Sequence, residues 1–250
     1  MTFLALRQVS KRYASASGPV VALEDLSFTA ARGEFVVLLG PSGCGKSTCL
    51  RLVAGIESPS AGVVSLDGQP IVGCAPDRTL IFQRPSLFPW LSALENVAFG
   101  LHMQGMDPRE RLAIAGDALA RMDLTAAADR YPHQLSGGMQ QRVALARALI
   151  LDPAVVLMDE PLGAVDALLR SRLQAQIHQA CAGRTVLFVT HSIREALVLA
   201  DRILIMTPQP GRVRHELAPP GRPPRAPSPD LWALEADIEA ELTQEIDASP

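Results

Sequence analysis

The run Phe35-Val36-Val37-Leu38-Leu39-Gly40-Pro41-Ser42-Gly43-Cys44-Gly45-Lys46-Ser47-Thr48 decides how the rest of the chain is read. Five consecutive apolar residues suit a strand buried on both faces, and the residues from Lys46 onward favour a helix. Between them lies the spacing GxxxxGK[ST], a phosphate-binding loop in its strand–loop–helix setting. Its glycines let the backbone curl until successive N–H groups face one anion, and the helix start adds the positive end of its dipole. Gly40, Pro41, Ser42, Gly43, Cys44, Gly45, Lys46, Ser47 and Thr48 are therefore the expected phosphate-binding residues. Lys46 is placed to reach the β- and γ-phosphates, and the Ser47 hydroxyl suits Mg²⁺. A nucleoside triphosphate is the expected ligand.

At 250 residues, 48% hydrophobic and 20% charged, the chain has the make-up of one α/β domain with an appendage. Its net charge of −3 offers no broad basic surface, so nucleic acid is not an expected partner. No apolar stretch approaches the roughly 18 residues that span a bilayer. Arg7, Gln8, Lys11 and Arg12 interrupt the N-terminus, so no signal peptide is expected. Cys44, Cys49, Cys74 and Cys181 lack metal-ligand spacing and fit the reduced thiols of a cytosolic protein. Cys44 reads either as an alkylatable thiol or as a small residue that the loop tolerates.

Two strand-rich segments, Leu4–Val9 and Val20–Phe28, flank a Ser/Gly/Pro turn, and Gly62–Leu66 with Asp67-Gly68 reads as a hairpin arm. Thr79–Phe82 is a short strand ending at Gln83. From Ser92 to Arg130 the pattern is helical, with Asp107-Pro108 as a helix start. Val155–Met158 and Val186–Val189 read as strands of a parallel sheet, separated by a helix from about Asp166 to Ala180. Ser192-Ile193-Arg194-Glu195 predicts a capping box, and Ile203–Met206 a further strand. Pro219 to Pro227 reads as an extended linker. Beyond it Leu231, Leu234, Ile238, Leu242 and Ile246 share one face of an acidic helix without Lys or Arg, expected to dock on its own domain or on a partner.

Further chemistry sits at two places. Asp159 and Glu160 close a buried strand, where alternation would send one carboxylate to Mg²⁺ and the other to the attacking water. Leu135-Ser136-Gly137-Gly138-Met139-Gln140-Gln141-Arg142 opens a strong helix, and Ser136, Gly137 and Gly138 form a second anion cradle. One triphosphate needs only one cradle from one chain. The economical account has Ser136–Gly138 of one copy grip the γ-phosphate held by another.

With these three motifs in this order, the chain from about Leu4 to Leu217 resembles the ATP-binding subunit of ABC transporters. The resemblance implies an α/β P-loop NTPase fold, with a helical subdomain inserted at about 84–150 and an antiparallel β subdomain. Residues 1–217 would form the ATP-binding domain, 218–229 a Pro-rich linker and 230–250 the acidic helix. By resemblance Gln83 contacts Mg²⁺ and water, although a Gln at a strand end is also commonly a solvated side chain. His191 is similar to the switch histidine bonded to the γ-phosphate, and Glu160 to the catalytic carboxylate, with Asp159 and Ser47 at the metal. Tyr13 resembles the aromatic that stacks on adenine; packing is its other reading. Ala164-Val165-Asp166 is similar to the loop that crosses the dimer interface, which assigns Asp166 to the nucleotide site. Ser192 stands where the family commonly has Asp.

Ser86–Leu91, Glu95–Leu101 and Thr207–Val213 are similar to importers of nitrate, sulfonates, taurine and bicarbonate. The resemblance implies ATP and Mg²⁺ as cofactors, a head-to-tail homodimer, two integral membrane permease subunits and, indirectly, a solute-binding protein. It places the chain peripherally at the cytoplasmic face of the inner membrane. Phe88, Pro89 and Trp90 would touch the membrane subunit; core packing of the helical subdomain is the rival reading. A soluble ABC-type ATPase uncoupled from transport is the alternative function. A chromosome-organising ATPase would need coiled-coil arms between Lys46 and Ser136, and none is readable there.

Overall fold

In chain order the elements are β1 (Thr2–Tyr13), β2 (Val20–Ala31), β3 (Phe35–Leu39), α1 (Lys46–Ala54), β4 (Ala61–Leu66), β5 (Gln69–Pro70), β6 (Arg78–Ile81), α2 (Ala93–Met103) and α3 (Pro108–Arg121). They continue as α4 (Gly137–Leu149), β7 (Val155–Asp159), α5 (Ala167–Ala180), β8 (Thr185–Thr190), α6 (Ile193–Leu199), β9 (Arg202–Met206), β10 (Val213–Leu217) and α7 (Pro229–Ala248). These come from a computed structural model, which describes residues 2–16, 18–163 and 167–248. The chain divides into two compact units, one of residues 1–75 and 182–250, the other of residues 76–181.

In the first unit β1 pairs antiparallel with β2 and with β4, and β4 with β5. β3 lies between β8 and β9, parallel to both, and β10 pairs antiparallel with β9. All five β3 residues and all six of β8 are buried, which explains why both read as unbroken apolar runs. α7 packs against α6 of its own unit and buries Leu231 and Ile238, so the acidic helix docks on its own domain. Ser228 caps it by accepting from the Leu231 N–H at 3.3 Å, and Pro229 takes the first helical position.

The second unit pairs β6 with β7 in parallel and packs α2 against α3 and α4. Asp107 caps α3 by accepting from Arg109 N–H at 2.9 Å, with Pro108 next, as the sequence predicts. A capping box does form in this chain, but between Ser92 and Glu95 at the start of α2. The predicted one at Ser192 forms only by half. Ser192 accepts from Glu195 N–H at 3.3 Å, while the Glu195 carboxylate accepts from the Thr190 hydroxyl at 2.7 Å. Thr190 is buried and its hydroxyl needs a partner, and its oxygen in turn accepts the Ser192 N–H at 3.0 Å.

Candidate functional site

β3 ends at Leu39 and releases the loop Gly40–Gly45, in which Gly43 (φ 83°) and Gly45 (φ 97°) are left-handed. A Cβ at Gly45 would lie 2.6 Å from Leu23 Cδ2 and 2.7 Å from the Ala22 carbonyl oxygen, so both conformation and space require glycine. No side chain caps α1 and no acidic residue sits in its first turn, where a bound anion would meet the positive end of the helix. Lys46 is 5% exposed, and its ammonium donates to the carbonyls of Gly40 and Pro41, each at 2.7 Å. The ammonium also lies 3.6 Å from Cys44 Sγ.

Cys44 is 1% exposed, and burial pushes its thiol above the ordinary value although the Lys46 charge works the other way. That favours the reading of Cys44 as a tolerated loop residue over an alkylatable thiol. Tyr13 donates its hydroxyl to Glu57 at 2.6 Å and sits 3.4 Å from Thr48 Oγ1, with the Lys11 ammonium 5.1 Å from its ring centroid. Burial raises the Glu57 carboxyl, but the bonds from Tyr13 and Lys11 and the charges of Lys11 and Arg51 outweigh it and hold the group below its ordinary value. Thr48 belongs to α1, so this network fixes the Tyr13 ring beside the helix that opens the phosphate loop.

The sequence reading missed one support of that loop. Gly211 donates its N–H to the Ala22 carbonyl at 3.0 Å, and a Cβ there would lie 1.9 Å from the Cys44 carbonyl oxygen. Only glycine lets this turn lie against the phosphate loop. Gly211→Val is therefore expected to lower nucleotide affinity at least about tenfold, because the loop must move to admit the side chain. Equilibrium binding of a fluorescent ATP analogue checks it; affinity within about twofold of the parent would refute the support role.

His191 follows β8 directly. Leu39 and Thr190 are register partners in adjacent parallel strands, so Gly40 and His191 leave the sheet at the same level and the same end. Ligands of α/β sheets bind outside the carboxyl ends of parallel strands. The second unit repeats this arrangement. Ile81 and Met158 are register partners, and the segments leaving them carry Gln83 and Asp159-Glu160. Gln83 Nε2 donates to Glu160 Oε2 at 3.4 Å. Asp159 ends β7, whereas Glu160 has φ 44°. The strand therefore stops at Asp159, and Glu160 lies beyond it in a left-handed turn, outside the alternation read from the sequence. A non-glycine residue held there stores backbone strain, which concentrates at functional sites.

Ser136 caps α4, accepting from Met139 N–H at 3.3 Å, and Gly137 begins the helix in the open. Among the described residues, nothing would meet a Cβ at Gly137 within 4 Å. Asp166 lies outside the described residues.

Within the Phe88–Trp90 segment, Phe88 and Trp90 differ in how far they are covered. Phe88 packs on Phe99, with ring centroids 4.5 Å apart, and under the Arg147 guanidinium at 5.3 Å. Trp90 is 70% exposed. The segment is pinned by the buried Asn96, which accepts from Phe88 N–H at 2.8 Å and donates to the carbonyls of Phe88, Leu91 and Ser92 at 3.0–3.1 Å.

The first unit carries a phosphate loop closing a parallel strand, and the second a carboxylate–glutamine pair and a glycine-led helix, which are the parts of a nucleotide-hydrolysing cassette. Residues 23–163 match the family model described as ABC transporter, and the chain belongs to that family. It is an ATP-binding subunit with ATPase activity. It is 48% identical over 221 residues to a taurine import ATP-binding protein, TauB, of Burkholderia pseudomallei (strain 1710b), covering 87% of this chain and 85% of the relative. It is 43% identical over 213 residues to an uncharacterised ABC transporter ATP-binding protein, MJ0412, of Methanocaldococcus jannaschii, covering 84% of this chain and 80% of that one. Among solved structures it is similar to the ATP-binding cassette MJ0796, a dimer in a post-hydrolysis state bound to ADP and Pi. That likeness has a TM-score of 0.78 and 33% identity, covering 88% of this chain and 100% of that one.

Proposed function

We propose that this chain drives an importer for a small sulfonated or similar anion, hydrolysing ATP as a head-to-tail homodimer beneath two membrane permease subunits. The observation that carries the paired arrangement is the exposed Gly137 at the start of α4. Its own unit does not require glycine there, whereas close approach of a second copy's γ-phosphate does. The 48% identity to a taurine import subunit supports the anion class. Solute choice falls to the permeases and a solute-binding protein.

In this reading Lys46 and the loop N–H groups hold the β- and γ-phosphates, Ser136–Gly138 of the partner copy close over them, and Tyr13 stacks on adenine. Glu160 orients the attacking water and takes its proton, Gln83 senses the γ-phosphate, and His191 bonds to it. Asp166 contributes from across the dimer. The oxygen donors Ser47, Gln83 and Asp159 suit Mg²⁺, a hard cation that takes few protein ligands and completes its shell with water and phosphate. The ion would neutralise charge on the transferring phosphoryl group. Trp90 on its pinned segment is the contact for a permease, which keeps the chain peripheral at the cytoplasmic face of the inner membrane. No described helix is long and apolar enough to cross a membrane.

Hydrolysis per molecule is expected to fall steeply on dilution, because neither copy completes a site alone. Steady-state rates measured over about a hundredfold in protein concentration test this, with sedimentation reporting the oligomer. A specific rate that stays constant while the dimer dissociates would exclude the shared site.

A further inference from the structure

The C-terminal segment takes no part in the chemistry above, yet it is bonded to the helix that follows His191. Arg225 is 9% exposed, and each of the five guanidinium N–H groups has a main-chain carbonyl to bond. Nη1 donates to Leu197 O at 3.2 Å and Ala200 O at 2.6 Å, at the end of α6. Nε donates to Pro220 O at 2.8 Å, and Nη2 to Pro219 O at 2.9 Å and Gly221 O at 2.8 Å. The Arg225 N–H adds a bond to Val198 O at 3.0 Å. A cation that ligates the last carbonyls of a helix both satisfies them and complements the dipole. Burial works against the charge of Arg225, and the carboxylate of Asp201 supports it.

α7 grips the other end. Leu231 and Ile238 are buried, α7 packs on α6, and Glu235 pairs with Arg194 in the first turn of α6 at 3.4 Å. α6 is only seven residues long, too short to bend, so fixing one end fixes the other. At its start Glu195 holds Thr190, and Thr190 holds the Ser192 N–H, so the two residues flanking His191 are bonded to α6 or to each other.

We infer that Arg225 is a positioning residue for His191, acting through α6 to set the loop that presents the imidazole. This rests on the reading of His191 as a γ-phosphate contact. The rival is that Arg225 only stabilises its unit. The test compares full-length Arg225→Met, Arg225→Lys, His191→Ala and the double variant Arg225→Met/His191→Ala, measuring kcat, ATP affinity and Tm. Arg225→Met is expected to lower kcat about tenfold with ATP affinity within about twofold, since misplacing a reacting group costs rate rather than binding. Arg225→Lys should restore part of the rate. His191→Ala should cost on the order of 10²- to 10³-fold, and Arg225→Met should then add less than about twofold. An unaltered kcat in Arg225→Met, an equal loss in the His191→Ala background, or a parallel loss of ATP affinity would each overturn the inference. If Arg225→Met does not fold, Arg225→Lys carries the test: an intermediate kcat supports the inference and a parental one overturns it. A His191→Ala variant with parental kcat would instead sink the reading of His191 itself.

Discussion

Replacing Glu160 with Gln is expected to leave ATP bound and to reduce its turnover by about 10²- to 10⁴-fold, the range for losing a positioned general base. The amide has the shape of the carboxylate, fits the same left-handed backbone at φ 44°, and can still pair with Gln83. It cannot take a proton from water. The phosphate loop and Lys46 are untouched, so affinity for ATP should stay within about threefold, the range of one weak polar contact. With hydrolysis blocked, the ATP-bound dimer should persist, and sizing chromatography with ATP should show a population that the parent loses as it turns over. Steady-state hydrolysis at the parental rate would remove Glu160 from the chemistry.

Lys46→Ala is expected to fail one step earlier, at binding. The ammonium is almost fully buried against the Gly40 and Pro41 carbonyls, where the loop holds it ready for an anion. Removing it deletes a positive charge from the cradle and strands two acceptors, one of them buried. Hydrogen bonds to charged groups contribute about 1.5–3 kcal/mol each, so losing two phosphate contacts weakens ATP by at least about a hundredfold. Isothermal titration with ATP is the direct measurement, and an unchanged dissociation constant would contradict the role. The two variants separate cleanly: one binds without turning over, the other does not bind at usual concentrations.

The phosphate loop was legible because its chemistry is local: glycines, a lysine and a hydroxyl at fixed spacing after a buried strand. The parallel strands were legible for a similar reason, since burial on both faces leaves runs such as Phe35–Leu39 and Thr185–Thr190 with hardly a polar break. What escaped depends on residues far apart in sequence. Gly211 matters because its turn reaches the Cys44 carbonyl, and no local pattern announces that approach. Glu195 has the right spacing for a capping box, but the buried Thr190 hydroxyl takes its carboxylate, a tertiary demand that overrides the local rule. Arg225 sits in a Pro-rich stretch whose composition says only that no helix or strand forms there. Its carbonyl partners on α6 become visible only after folding. The Phe88–Trp90 segment posed a choice between packing and contact; Phe88 packs on Phe99, and Trp90 is 70% exposed.

Asn96 and Arg147 give that segment a mechanical consequence. Arg147 belongs to the last turn of α4, donates to the Pro85 carbonyl at 3.1 Å and covers the Phe88 ring. The opposite end of the same helix is Gly137, about 15 Å away at the usual rise per residue. A helix transmits axial displacement as a stiff rod does. A load applied at the tryptophan would therefore meet a pinned segment and a rigid helix rather than a slack loop.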